Sequence, residues 1–283
     1  MATQTQTALD LSIPTIVSPG DAAVIPRGTP QSQSRHSLQS ITSPIVVDDT
    51  NSVPGAGKNT STLQKVAVTF QLSGINFASS ATNGLIVIGL PAIAHDLNLP
   101  DNLAFWPSSV GSLATAATLL LAGSLADVLG PRSIDLLGSV ATGALMLGCG
   151  FVKTGEELVG LRAVHGVGYA MHLASSVALV TKIMARGRAR NLSFACLGLS
   201  QPLGFSFGLV IGGVFVDTIG WRAAWYIYGG ITLLLTASGV FTLPKSESLG
   251  TWAATAHALK TKVDWVGSLL ASVVMALLSY FLA

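Results

Sequence analysis

From residue 66 to the C-terminus the sequence is a succession of apolar runs of about 17–25 residues, the length of helix that crosses a bilayer. The charged side chains fall almost entirely into short gaps between those runs. No water is present at that depth, so every backbone N–H and C=O must be paired inside the protein, which leaves helices or a closed barrel. The runs lack the polar alternation of a barrel strand. The expected fold class is therefore all-α, a polytopic transmembrane helix bundle. The chain is 50% hydrophobic and 10% charged, against roughly a quarter charged in soluble domains.

The spans are expected at 66–90, 103–125, 133–151, 158–180, 192–216, 224–243 and 264–283. Residues 1–64, rich in Ser, Thr, Gln and Pro with no sustained apolar period, are expected to be a disordered cytoplasmic tail. They do not begin with a basic stretch and an apolar run, so they are not a signal peptide. Residues 65–243 then form a six-helix bundle, 244–263 a cytoplasmic linker and 264–283 a seventh helix.

One side of this arrangement gathers Lys65, Arg132, Lys182, Arg186, Arg188, Arg190, Lys245, Lys260 and Lys262, with the tail's own basic residues; the other holds Lys153 and Arg222. That bias puts the N-terminus inside the cell. The net charge of +2 and the lack of a basic cluster interleaved with aromatics exclude a nucleic-acid partner. Cys149 and Cys196 lie inside apolar runs and read as packing residues. No span carries paired carboxylates, a metal-ligand cluster or a nucleophile–base pair, so no enzyme, cofactor or metal is expected.

Four segments carry more information. The gap between the second and third spans reads Gly123-Ser124-Leu125-Ala126-Asp127-Val128-Leu129-Gly130-Pro131-Arg132. Its glycines permit a tight turn and close helix approach, and Asp127 is placed to accept from helix N-terminal N–H groups or pair with a cation.

The fourth span contains Arg162, His165, Tyr169, His172 and Ser176 at three- and four-residue steps, one helical stripe. An arginine inside a span costs about 2.5–3.5 kcal/mol on insertion scales, so Arg162 faces an aqueous cavity or a partner, or else snorkels to the interface. His165 is either a proton relay or a packing imidazole.

The fifth span repeats small residues at every fourth position, Cys196, Ser200, Gly204, Gly208 and Gly212, with Gly213 following and Gln201-Pro202 nearby. That spacing lets two backbones approach closely and, with the proline, allows a bendable helix. The first span carries a polar stripe of Asn76, Ser80 and Asn83 and ends in Gly89-Leu90-Pro91.

These segments together resemble the major facilitator superfamily. The 123–132 gap is similar to its G-x-L-a-D-r-x-G-r-r loop, with Val128 and Pro131 in place of basic residues. Arg162 to Ala170 is similar to its R-x-x-q-G-x-g-a-a helix, with His165 where glutamine is usual. The fifth span resembles the antiporter signature, with Gln201 replacing the glycine before proline. The first resembles that of drug:proton antiporters, with about Thr82 where many members have an aspartate.

Gly220-Trp221-Arg222-Ala223-Ala224-Trp225 and Asp264-Trp265-Val266-Gly267 resemble the helix 5–6 turn and the start of helix 7 in fourteen-span members. The fungal drug-resistance and aminotriazole/boron-efflux proteins are the branch it fits.

The resemblance implies proton-coupled efflux of small organic or borate-like compounds across the plasma membrane, the vacuolar membrane being the alternative. Asn76, Asn83, Arg162, His165, Tyr169 and His172 would line the path. Gly123, Asp127, Gly130 and Arg132 would gate the loop, and Gln201, Pro202, Gly204, Gly208, Gly212 and Gly213 would form a packing or gate helix. The implied partners are the lipid bilayer, a small-molecule substrate, protons and a second bundle or chain. Because the sequence ends with the seventh span, it is expected to be a fragment, a truncated product or a protomer that needs another chain. The alternative is a non-transporting membrane protein or interaction partner.

Overall fold

The structure, a computed structural model, describes residues 61–100, 103–244, 261 and 264–282. Residues 1–60 of the expected tail and most of the expected 244–263 linker lie outside the described residues, while residues 62–64, expected in the tail, belong to the first helix. All regular structure among the described residues is helical: α1 Thr62–Asp96, α2 Trp106–Leu129, α3 Pro131–Phe151, α4 Gly155–Ile183, α5 Arg188–Thr218, α6 Trp221–Thr242 and α7 Trp265–Leu282. The all-α expectation holds. The first six are long and apolar enough to cross a membrane.

Local chemistry sets the helix ends. Ser61 caps α1 by accepting from the Gln64 N–H at 3.2 Å. Thr154 and Glu157 form a reciprocal capping box at the start of α4, satisfying N–H groups that have no partner within the helix. Gly130 is the single-residue link α2–α3 and Gly220 follows Ile219 in the two-residue link α5–α6; their φ angles of +88° and +85° lie in the left-handed region that favours glycine. Pro91, where the sequence suggested an end, lies inside α1, which runs on to Asp96. Proline removes one donor and tilts a helix, and here the flanking turns continue past it.

α1 packs on α5 and α6, α2 on α4, α3 on α4 and α6, and α7 on α2. Exchanging α1 with α4, α2 with α5 and α3 with α6 turns each main pairing of the first six helices into another of the same set. The bundle is thus two three-helix units docked with internal two-fold pairing, as nested repeats require.

Two apolar clusters occupy its ends. One gathers Leu85, Ile86, Ile93, Met146, Leu158 and Trp225; the other gathers Val68, Leu72, Leu179, Val180, Met184 and Leu243 and lies at the end that carries the basic loops. On α1 and α4, the polar residues Asn76, Tyr169 and His172 fall between these clusters and are buried. Large apolar side chains such as Phe70, Leu120, Leu137, Leu203, Val210 and Phe241 instead point outward and are exposed. Polar inside and apolar outside is the arrangement a hydrocarbon solvent selects.

Candidate functional site

The α4 stripe faces the bundle interior, where Arg162, His165, Tyr169, His172 and Ser176 are all buried. Arg162 is fully buried rather than snorkelled. Its Nε donates to the Pro107 carbonyl of α2 at 3.2 Å, its Nη2 donates to Asn83 Oδ1 of α1 at 2.7 Å, and its guanidinium lies 5.7 Å from the Trp225 ring of α6. Gly111 makes the space, since a Cβ there would lie 3.1 Å from Arg162 Cζ. Among the described residues Arg162 has no carboxylate partner. Its Nη1, His165 Nε2, Trp225 Nε1 and Tyr228 Oη are buried without a hydrogen-bond partner. Four unpaired polar groups on α4 and α6 mark the least satisfied part of the interior.

About one, two and three turns further along α4, the rings of His165, Tyr169 and His172 stand near-parallel, with centroids 6.4 Å apart at each step. Tyr169 Oη donates to Asn76 Oδ1. Asn76 Nδ2 donates in turn to the Leu197 carbonyl at 2.9 Å and to Ser200 Oγ at 2.8 Å, both on α5. Asn76 therefore joins α1, α4 and α5 with its full amide used. His172 meets Asp135 of α3 at 2.9 Å.

The small residues of α5 serve close approach to α1. A Cβ on Gly204 or Gly208 would collide with the Phe77 or Ala81 carbonyl oxygen, and one on Gly212 would lie 3.0 Å from Leu85 Cα. Gly213 needs no such room, its Cβ position being 3.9 Å from the nearest neighbour. Gln201 and Pro202 are exposed, and the Gln201 carbonyl accepts from Ser80 Oγ at 2.6 Å. The pairing of α2 with α4 repeats the device: a Cβ on Gly166 would strike the Gly111 carbonyl, and Thr115 Oγ1 donates to the Gly166 carbonyl at 3.0 Å.

Of the residues expected in the gap between the second and third spans, Gly123 and Asp127 instead lie in the last turns of α2, where Asp127 is exposed and Gly123 has open space around it. Arg132 Nη2 donates to the Val240 carbonyl near the end of α6 at 2.7 Å, tying the loop to its own bundle. At the opposite end Arg222 pairs with Asp96 and donates to the Val152 carbonyl at 3.2 Å, clamping α6 to α1 and α3.

The family model described as Major Facilitator Superfamily matches residues 72–283. The chain belongs to the major facilitator superfamily. It is 37% identical to "MFS-type transporter 1" of Pyricularia oryzae over 80% of this chain and 41% of the relative. It is 32% identical to "Multidrug efflux pump LfrA" of Mycolicibacterium smegmatis over 58% of this chain and 33% of the relative. It is 26% identical to "Citrate exporter 1" of Yarrowia lipolytica over 68% of this chain and 28% of the relative. The chain thus spans less than half the length of these curated relatives. The family is one of transporters, which makes this an integral, multi-pass membrane protein that contacts lipid.

Within this major facilitator bundle the sequence reading missed Asp135, Gly111 and the Asp96–Arg222 clamp. Asp135 stands three residues after Arg132, in the first turn of the expected 133–151 span, and it is fully buried. A lone acid at the head of an apolar run is itself a signal, because an unpaired carboxylate at that depth is costly. Gly111 carries no sequence signal, since its role depends on where the Arg162 side chain ends.

Proposed function

We propose that the bundle is one half of a proton-coupled exporter of small organic compounds, of the drug, toxin or borate-like kind, related to the fourteen-span drug:proton antiporters. It acts in the plasma membrane with the basic loops cytoplasmic, and a second bundle, on the same or another chain, completes the path. The observation that carries this is Arg162, buried at the meeting of α1, α2, α4 and α6 on neutral partners alone. A stability role is better served by an apolar side chain, so an unneutralised guanidinium inside a span is retained for what it binds. The unpaired atoms of His165, Trp225 and Tyr228 add donors and acceptors to the same region. The relatives named for multidrug efflux and citrate export support outward movement of small molecules.

The test joins the chain to the part of the Pyricularia oryzae relative that lies beyond the match and expresses the fusion in drug-hypersensitive yeast. Growth is scored against a panel of toxic amphiphiles, organic acids and borate. Resistance that a protonophore abolishes, and that Arg162→Ala abolishes at unchanged abundance, is the expected result. Resistance indifferent to Arg162→Ala removes the site assignment, and resistance indifferent to the protonophore removes the coupling.

A further inference from the structure

We propose that Asp135 and His172 form a proton-binding site inside the bundle, at the junction of α1, α3 and α4. Both side chains have no solvent exposure, and Asp135 Oδ1 lies 2.9 Å from His172 Nδ1. The hydrogen-bond network around the ring counts its protons. His172 Nε2 lies 3.3 Å from the Leu72 carbonyl of α1, which can only accept, so Nε2 carries hydrogen. Ser139 Oγ uses its hydrogen on the Asp135 carbonyl at 2.6 Å. Its contact with His172 Nδ1 at 3.3 Å therefore presents a lone pair, so the hydrogen of the Nδ1–Oδ1 contact is supplied by the ring or by the carboxyl group. Ser175 Oγ completes the shell at 3.3 Å from Asp135 Oδ1, and Asp135 Oδ2 is buried without a partner.

The network is satisfied when one proton sits between Nδ1 and Oδ1, as imidazolium with carboxylate or, with the proton moved across, as imidazole with carboxylic acid. Either form is neutral overall. Loss of that proton leaves one net negative charge at zero exposure, with a nitrogen lone pair facing a carboxylate oxygen. Relief requires the ring to give up Leu72 or the carboxylate to give up the ring. Binding or release of a single proton is thereby tied to the contact between α1 and the α3–α4 pair.

Among the described residues no other charge neutralises the pair. On α3 the neighbouring cation is Arg132, whose Nη2 is held by the Val240 carbonyl; Cys149 is at the far end. On α4, Tyr169 and then His165 stack above His172, Arg162 is engaged by Asn83 and Pro107, and Glu156, Glu157 and Lys182 lie in the terminal turns. α1 presents the Leu72 carbonyl, its Lys65, His95 and Asp96 being terminal. α2 has Asp127 at its exposed end, α5 has Arg188, Arg190, Cys196 and Asp217, and α6 has Arg222, Tyr226 and Tyr228 in its first two turns.

The use of this site in coupling rests on the exporter reading; its existence does not. The experiment takes the purified 283-residue chain in lipid nanodiscs with nitrogen-15 histidine, the His172 signal being assigned with His172→Gln. We expect one proton held between the ring and the Asp135 carboxylate, seen as a doubly protonated ring or a protonated-carboxyl infrared band, with that signal absent in Asp135→Asn and restored in Asp135→Glu. If the Asp135 variants fail to fold, the wild-type spectra decide. A neutral ring with no protonated-carboxyl infrared band overturns the site, and so does a signal unchanged in Asp135→Asn. A protonated site in a fusion whose export ignores the pH gradient keeps the site and removes the coupled-export reading. Gradient-driven export with a silent His172 does the reverse.

Discussion

Arg162 of α4 reaches α1 through a single hydrogen bond, from its Nη2 to Asn83 Oδ1 at 2.7 Å. Among the described residues this is the one side-chain hydrogen bond of a guanidinium that is otherwise held by the Pro107 carbonyl and the Trp225 ring. It links the polar stripes of two helices that lie a bundle's width apart in sequence.

Asn83→Ala is therefore expected to destabilise the bundle by about 1.5–3 kcal/mol, the range for a hydrogen bond to a charged group. Reversible unfolding of the chain in mixed detergent–lipid micelles, run as a double-mutant cycle with Arg162→Met, measures the coupling. Because Asn83 acts here through its contact with Arg162, Asn83→Ala adds little once Arg162→Met is made. Full additivity would show that the contact does not hold the two helices.

Glycine substitutions on α5 separate close approach from mere helix composition. Gly208→Ala drives a Cβ onto the Ala81 carbonyl, and such overpacking costs about 1–3 kcal/mol. Gly198→Ala meets open space and Gly213→Ala meets Ile88 at 3.9 Å, so both are expected to leave stability unchanged or raise it by up to about 1 kcal/mol through helix propensity. Melting temperatures of the three variants in one lipid mixture check the order. Equal effects at all three positions would remove the packing role.

The loop residues are expected to divide in the same way. Arg132→Ala removes the bond to Val240 and is predicted to lower stability by about 1 kcal/mol. Asp127, exposed at the end of α2, is predicted to tolerate Asn within about 0.5 kcal/mol, while the fusion protein loses export. A large loss of stability in Asp127→Asn would place its partner within this bundle instead of across an interface.

The spans were legible because hydrocarbon solvent imposes length and apolarity directly on the sequence, and the α4 stripe was legible because Arg162, His165, Tyr169 and His172 repeat at the helical period. Partners were not legible. Nothing near His172 in sequence announces Asp135, and nothing near Arg162 announces Asn83 or Gly111, because each contact is made between helices whose relative rotation is set by packing. The extension of α1 through Pro91 was hidden for a related reason: proline's local cost is fixed, but the support of its flanking turns comes from neighbouring helices.

The last prediction concerns orientation. Among the described residues, the end formed by the starts of α1, α3 and α5 carries Lys65, Arg132, Lys182, Arg186, Arg188 and Arg190, and the other end carries Lys153 and Arg222. Arg222 is already neutralised by Asp96, which leaves Lys153 as the free cation of that end among the described residues. Translocating the basic end would carry six cations through the membrane against the bias that keeps Lys and Arg inside. The α4–α5 link is therefore expected in the cytoplasm and the α3–α4 link outside. Lys153 and Arg186 are both exposed, so cysteines placed there report their own side. With Cys149 and Cys196 replaced by Ala, Lys153→Cys should react with a membrane-impermeant maleimide in intact cells, and Arg186→Cys only after permeabilisation. The opposite pattern would invert the topology and put the buried Asp135–His172 pair near the external face, so that a proton reaching it from the nearer end would come from outside the cell.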